Sequence, residues 1–243
     1  MKIIPLSEGA FTVDKTKVFV PFDASKDVFR ERPVGSLLVE VQPFVVITEK
    51  DVLLLDTGLG FINEKGVPQI HQLLMNEGIN PSEVTKVLMS HLHKDHSGGA
   101  GIRGSRKLSF PSARYYVQGK ELESALNEAT SSYIREELLC LKEAAGVVLL
   151  DGDGVIDGYI HYRMTSAHSR YHQVFRIEEK DQVIFFGGDD APQYQQMKSR
   201  YVAKYDFDGK KCMQLRQQWW EQGHEEHWTF LFYHDIKTPV YAA

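Results

Sequence analysis

The segment Ser90-His91-Leu92-His93-Lys94-Asp95-His96 concentrates three imidazoles and a carboxylate within six positions. Imidazole nitrogen and carboxylate oxygen are ligands that zinc takes at about 2 Å, commonly in a tetrahedron. His91 and His93 are two residues apart, so on extended backbone they project to the same side and can converge on one ion. Asp95 and His96 follow where the chain turns, and can serve a second ion beside the first. Ser97-Gly98-Gly99 comes next. Such small residues let backbone pass close to a site and let a helix start beneath it. A lone histidine is more often a surface or satisfied core residue. Three of them with an aspartate at a strand-to-loop junction read as a metal centre.

That junction needs a strand before it, and Lys86–Ser90 is short and mostly apolar. Upstream, Ser36–Glu49 reads as one strand and Val52–Leu55 as a second, with Glu49-Lys50-Asp51 as a hairpin turn between them. Val67, Ile70, Leu73 and Leu74 share a face at helical spacing, which predicts a helix over Val67–Glu77 closed by Gly78. The alternation continues downstream. Strands are expected at Arg114–Val117, Val147–Leu150 (buried), Tyr159–Met164, Val174–Glu178, Val183–Phe186 and Trp228–Tyr233. Helices are expected at Lys120–Asn127, Tyr133–Ala145 and Lys210–Gln222, the last capped by Asp208. Asp151-Gly152-Asp153-Gly154 lacks the ligand spacing and closing Glu of a calcium loop and reads as a turn. The pattern is that of an α/β chain.

Composition narrows the function classes. The chain has 243 residues, 42% hydrophobic and 25% charged, with a formal net charge of −5. That is ordinary for a globular protein. No stretch gathers the basic residues of a nucleic-acid footprint, so no nucleic-acid partner is expected. No run approaches a membrane helix, and the first residues are not a signal peptide, their apolar stretch being broken by Pro5 and Glu8. The cytoplasm is the default compartment. Cys140 and Cys212 form no C-x-x-C pair and read as structural, Cys140 on a buried helix face.

The hexapeptide His91-x-His93-x-Asp95-His96 is the signature of the metallo-β-lactamase superfamily, and the chain resembles that family from end to end. Asp56 in Leu55-Asp56-Thr57-Gly58 matches an early aspartate that orients a metal ligand. A single Asp-Thr-Gly does not make the paired carboxylates of an aspartic protease. His168 falls where the family places its next ligand, and His172 at a trailing position with a supporting or purely structural role. Asp189 in Phe185-Phe186-Gly187-Gly188-Asp189 matches the bridging carboxylate, with Asp190 as its rival. His234 in Phe232-Tyr233-His234-Asp235 matches the last ligand. The resemblance implies a four-layer αββα sandwich in one domain over residues 1–243. It also implies two divalent metals, zinc by default with iron, manganese or cobalt accommodated. His91, His93 and His168 would hold one, Asp95, His96 and His234 the other, with Asp189 shared. The implied chemistry is hydrolysis by a metal-bridging hydroxide, Asp95 passing a proton to the leaving oxygen.

His96 and Asp189 stand where the familiar zinc β-lactamases differ, so antibiotic hydrolysis is not implied. Phe110-Pro111-Ser112-Ala113-Arg114-Tyr115 and Tyr205-Asp206-Phe207-Asp208 resemble the group of acyl-homoserine-lactone lactonases and methyl parathion hydrolase. An ester or lactone of a small molecule is the substrate this implies. A phosphotriester is the alternative, ahead of nucleic-acid processing or a metal-binding sensor. Pro192 stands where the lactonases carry a tyrosine, with Tyr194 nearby but out of register. Phe19, Phe22, Phe29, Tyr194 and Trp228 could each line an apolar pocket or belong to the core. The oligomeric state is open, a homodimer included.

Overall fold

The structure is a computed structural model that describes residues 1–128 and 130–243. In chain order the first part runs β1 (Lys2–Pro5), β2 (Gly9–Val13), β3 (Phe19–Pro21), β4 (Leu37–Val41), β5 (Phe44–Ile47), β6 (Val52–Leu55) and α1 (Gln69–Asn76). It continues through β7 (Lys86–Leu88), α2 (Lys94–Ser97), β8 (Arg114–Gln118), α3 (Gly119–Asn127), α4 (Arg135–Glu143) and β9 (Val147–Leu150). The second part holds β10 (Gly154–Ile156), β11 (Ile160–Met164), β12 (Gln173–Glu179), β13 (Gln182–Phe186), α5 (Tyr194–Met197), α6 (Gly209–Glu225), β14 (Trp228–Leu231) and β15 (Val240–Ala242).

The strands form two six-stranded sheets, ordered β1-β5-β6-β7-β8-β9 and β10-β11-β12-β13-β14-β15, and a three-stranded sheet ordered β3-β2-β4. Alternation along each strand separates the layers. Phe44, Val46, Leu53 and Leu55 of the first sheet pack against Phe175, Ile177, Ile184 and Phe186 of the second. Their neighbours Val45, Leu54 and Val87 turn the other way, onto Ile70 and Leu74 of α1, Leu122 of α3 and Leu138 of α4. On the far side of the second sheet, Phe185, Trp228 and Phe230 meet Cys212, Leu215 and Trp219 of α6. The layers therefore run α, β, β, α, as the resemblance implies. Among the described residues, no helix is long and apolar enough to cross a membrane.

Five details differ from the sequence reading. The expected strand Ser36–Glu49 is two strands in different sheets, β4 and β5. Pro43 lies at the break, where a missing N–H interrupts any ladder. Val147–Leu150 is an edge strand rather than a buried one, with Leu149 59% exposed. A short apolar run does not by itself distinguish the two. The helix expected over Tyr133–Ala145 is shorter, Arg135–Glu143, and the last strand before His234 stops at Leu231. Helix α6 is longer than expected, and Asp208 caps it by accepting from the Lys211 amide at 3.0 Å.

Both sheets turn the carboxyl ends of central strands toward one edge of the sandwich, since β6, β7 and β8 run parallel, as do β13 and β14. Gln173 ties the sheets together there, donating from its amide to Ser90 O at 2.9 Å and from its side chain to Met89 O at 2.7 Å.

Candidate metal centre

At that edge the chain leaves β7 through Ser90-His91-Leu92-His93 and closes the single turn α2, which carries Asp95 and His96. His168 arrives from the loop between β11 and β12, Asp189 follows β13, and His234 follows β14. The seven residues come together in two groups. His91, His93, His168 and Asp189 have ligand atoms within 4.8 Å of one another, and so do Asp95, His96 and His234. Asp189 lies between them. Its Oδ2 is 3.2 Å from His168 Nε2 and 4.0 Å from His91 Nε2. Its Oδ1 is 3.2 Å from His96 Nε2 and 3.0 Å from His234 Nε2. Asp95 Oδ2 is 3.6 Å from His96 Nε2 and 3.5 Å from His234 Nε2.

The histidines are oriented from behind. His96 Nδ1 lies 2.7 Å from Asp56 Oδ2, and the same carboxylate accepts from the Ser90 amide and hydroxyl. Asp56 is fully buried and takes a left-handed φ of 58° to reach both. His168 Nδ1 meets Asp206 Oδ1 at 2.8 Å, and His234 Nδ1 meets the Glu40 carbonyl at 2.6 Å. A hydrogen bond on one ring nitrogen fixes the tautomer and aims the other nitrogen inward. The aimed atoms include His91 Nε2, His96 Nε2 and Asp189 Oδ1, all buried and without a hydrogen-bond partner. Buried polar atoms without partners are costly, and cations held in the two groups would satisfy all three. The donor set of neutral nitrogen and carboxylate oxygen suits zinc and other first-row divalent ions.

The electrostatics divide the histidines: burial pushes His168 and His234 down, but the Asp189 carboxylate and their hydrogen-bonded acceptors leave both raised. Burial pushes the His91 and His93 imidazoles well below their ordinary range, and neighbouring histidines push them further, which favours the neutral, ligating form. Burial also pushes His96 down, but the Asp189 and Asp95 carboxylates outweigh it and leave it raised. Burial raises Asp189, and His234, His96 and His168 overcome that and hold its carboxyl well below the usual range.

Several residues acquire a place that their sequence context did not announce. Asp190 points away from the cluster, accepting from the His168 amide at 2.7 Å and lying 3.0 Å from His172 Nδ1. His172 Nε2 in turn accepts from the Asp189 amide at 3.2 Å. The pair thus holds the backbone on which Asp189 and His168 stand. Asp206 sits inside one of the short resemblances read from the sequence, but only the fold sets it behind His168. Glu121, buried on α3, accepts from the Leu92 amide and the Tyr133 and Ser169 hydroxyls, linking the two histidine-bearing loops.

A cleft of about 110 Å³ opens over the cluster. Val13, Phe19, Leu37 and Val39 of the three-stranded sheet give it an apolar wall, and Pro192, Gln193 and Tyr205 also line it. Of the five aromatics considered from the sequence, Phe19 lines this cleft. Trp228 stacks on Phe185 under α6, Tyr194 packs on Phe232 and Tyr241, and Phe29 is 61% exposed.

Residues 38–201 match the metallo-beta-lactamase superfamily, and the chain belongs to that family. An N-acyl homoserine lactonase from Bacillus thuringiensis is 27% identical over 164 residues, 59% of this chain and 61% of the relative. The chain thus spans less than two thirds of that relative. Another, from Bacillus cereus, is 23% identical over 223 residues, 84% of each chain. Among solved structures, a probable metal-dependent hydrolase from Staphylococcus aureus superposes with a TM-score of 0.80 at 20% identity, covering 99% of this chain and 91% of the other. AidC, a dizinc quorum-quenching lactonase solved with its product, gives 0.74 at 15% identity, covering 98% and 88%. At such identities the likeness is one of fold.

Proposed function

We propose that this protein is a dinuclear metal-dependent hydrolase that opens the acyl C–O bond of a small-molecule lactone or ester. The observation that carries the reading is the position of Asp189, whose two oxygens face two separate ligand groups. On this reading His91, His93 and His168 hold one ion, Asp95, His96 and His234 the other, and Asp189 both. Zinc is the default metal, and the dizinc lactonase of the same fold supports it. Two such ions, when bound, lower the pKa of water and polarise a carbonyl oxygen.

The remaining steps fall to the chain. Overall, water adds across the acyl C–O bond, giving an acid and an alcohol, so a proton must reach the departing oxygen. Asp95 lines the cleft, and we assign it that transfer. Tyr233 steadies it by donating its hydroxyl to the Asp95 carbonyl at 2.6 Å. The apolar wall takes an acyl or alkyl part and excludes water from it. The cleft continues into a wider groove that shares Val13, Lys17, Leu37 and Tyr205 with it, and together they leave room for a small molecule. The lactonase relatives favour a lactone, while Pro192 in the cleft departs from their tyrosine and favours a substrate other than theirs.

Turnover of an acyl lactone, an aryl ester and a phosphotriester by the zinc-loaded protein tests this. Lactone or ester hydrolysis is expected, with Asp95→Asn lowering kcat about a hundredfold or more. Hydrolysis of the phosphotriester alone, or none of the three, would overturn it.

A further inference from the structure

Two ammonium groups line the same cleft, Lys17 and Lys94. The cleft's carboxylates, Asp95 and Asp189, belong to the ligand cluster. Both lysines are partly buried, and neither has a carboxylate within ion-pair distance among the described residues. Glu137, the acid next nearest in influence to Lys94, is paired with Arg103 at 3.4 Å. Lys17 sits instead over the Tyr205 ring, 5.8 Å from its centre. Its backbone has a φ of 59°, which ordinary side chains avoid. It stands in the hairpin between β2 and β3. The Lys94 main chain is held by its amide, which donates to Ser132 O at 2.9 Å. Partly desolvated like charges sharing one cleft repel each other, and an anion between them relieves the repulsion. The outer rim repeats the sign. Among the described residues, Lys15 and Lys204 line it without ion pairs, while Asp206 is engaged by His168 and Glu128 lies 3.8 Å from Arg170, leaving Asp14 as the remaining acid of that lining.

We propose that Lys17 and Lys94 form an anion subsite, so that the ester or lactone opened here carries a separate carboxylate in addition to its apolar part. The inference rests on the hydrolase reading for the reacting bond, and on the cleft alone for the charge. It sets this chain apart from a catalyst of uncharged acyl lactones.

Two probe pairs separate the two ideas. The first is an aryl monoester of adipic acid with its far carboxylate free, against the same compound with that carboxylate methylated. The second is the corresponding pair of anilides, used for equilibrium binding to the zinc-loaded protein by calorimetry. The free carboxylate is expected to improve kcat/KM and anilide affinity about tenfold or more, the effect of one charge-assisted hydrogen bond. The preference is expected to shrink with added salt, and the ratio within each pair to fall toward one in Lys17→Met/Lys94→Met. Equal binding of the two anilides, or a preference that survives the double substitution, would overturn the subsite. A charge preference in binding with no ester hydrolysed would uphold the subsite and sink the hydrolase reading.

Discussion

At the scale of single residues, the cluster depends on groups that stand behind its ligands. Asp206 holds His168 through Nδ1, as Asp56 holds His96. Removing such a partner commonly weakens a metal site about 10- to 100-fold. Asp206→Asn is therefore expected to lower zinc affinity by that order, measured by competition with a chromogenic chelator. Unchanged affinity would show that His168 is oriented by other means. Glu8 makes a different case. Its carboxyl is buried, accepts from the Leu59 amide at 2.7 Å, and leaves Oε1 without a partner. Burial pushes it up to about 8, with the Leu59 hydrogen bond opposing and Asp95 adding to the rise. Between 4.5 and about 8 the folded chain keeps a proton that the unfolded chain has released. Stability contributed by the protonated carboxyl is thus present below that window and lost as pH rises through it. Glu8→Gln should gain on the parent protein between pH 5 and pH 8, read from urea midpoints at each pH. A constant difference would contradict the assignment.

At the scale of elements, the ligand-bearing turn is set by close backbone approach. Thr57 donates its amide and hydroxyl to the His96 carbonyl at 2.7 and 2.9 Å, laying the loop after β6 against α2. A Cβ on Gly99 would overlap the Thr57 carbonyl oxygen, and one on Gly98 the Leu59 carbonyl, so this contact explains the Gly-Gly pair after the hexapeptide. Gly99→Ala is expected to cost about 1–3 kcal/mol of stability, as overpacking does. Chemical denaturation checks it, and a change below about 0.5 kcal/mol, ordinary for a surface site, would mean the loop yields freely. The residues that converge were legible because imidazoles and carboxylates at strand ends stand out by type and spacing. The elements around them were legible where apolar periodicity was long, as in α1, or where a cap was explicit, as at Asp208. Strands β1, β2 and β3 passed unread because three to five residues carry too little pattern. The part of the cleft wall that β2 and β3 supply, with Lys17 in their hairpin, was therefore unread too, save that Phe19 stood out as an aromatic. Asp206 and Asp190 were visible as acids but not as partners, since hydrogen bonding between distant loops leaves no local signal.

At the scale of the whole molecule, one edge of the sandwich does the work of a site because both sheets direct strand ends toward it. The first sheet brings Asp56 and the hexapeptide, and the second brings His168, Asp189 and His234. The apolar layer between the sheets contains fully buried side chains from each, among them Phe44, Leu53, Phe175 and Phe186. Neither half of the ligand set can shift without disturbing that layer, which is how a rigid scaffold positions loops. We read residues 1–243 as one domain on this ground. The most direct test of the dinuclear reading is metal content after zinc loading and gel filtration, for the parent protein and for Asp189→Ala. About two zinc ions per chain are predicted for the parent, and loss of at least one on removing the shared carboxylate. No bound metal in the parent, or two ions held equally well by Asp189→Ala, would contradict the account.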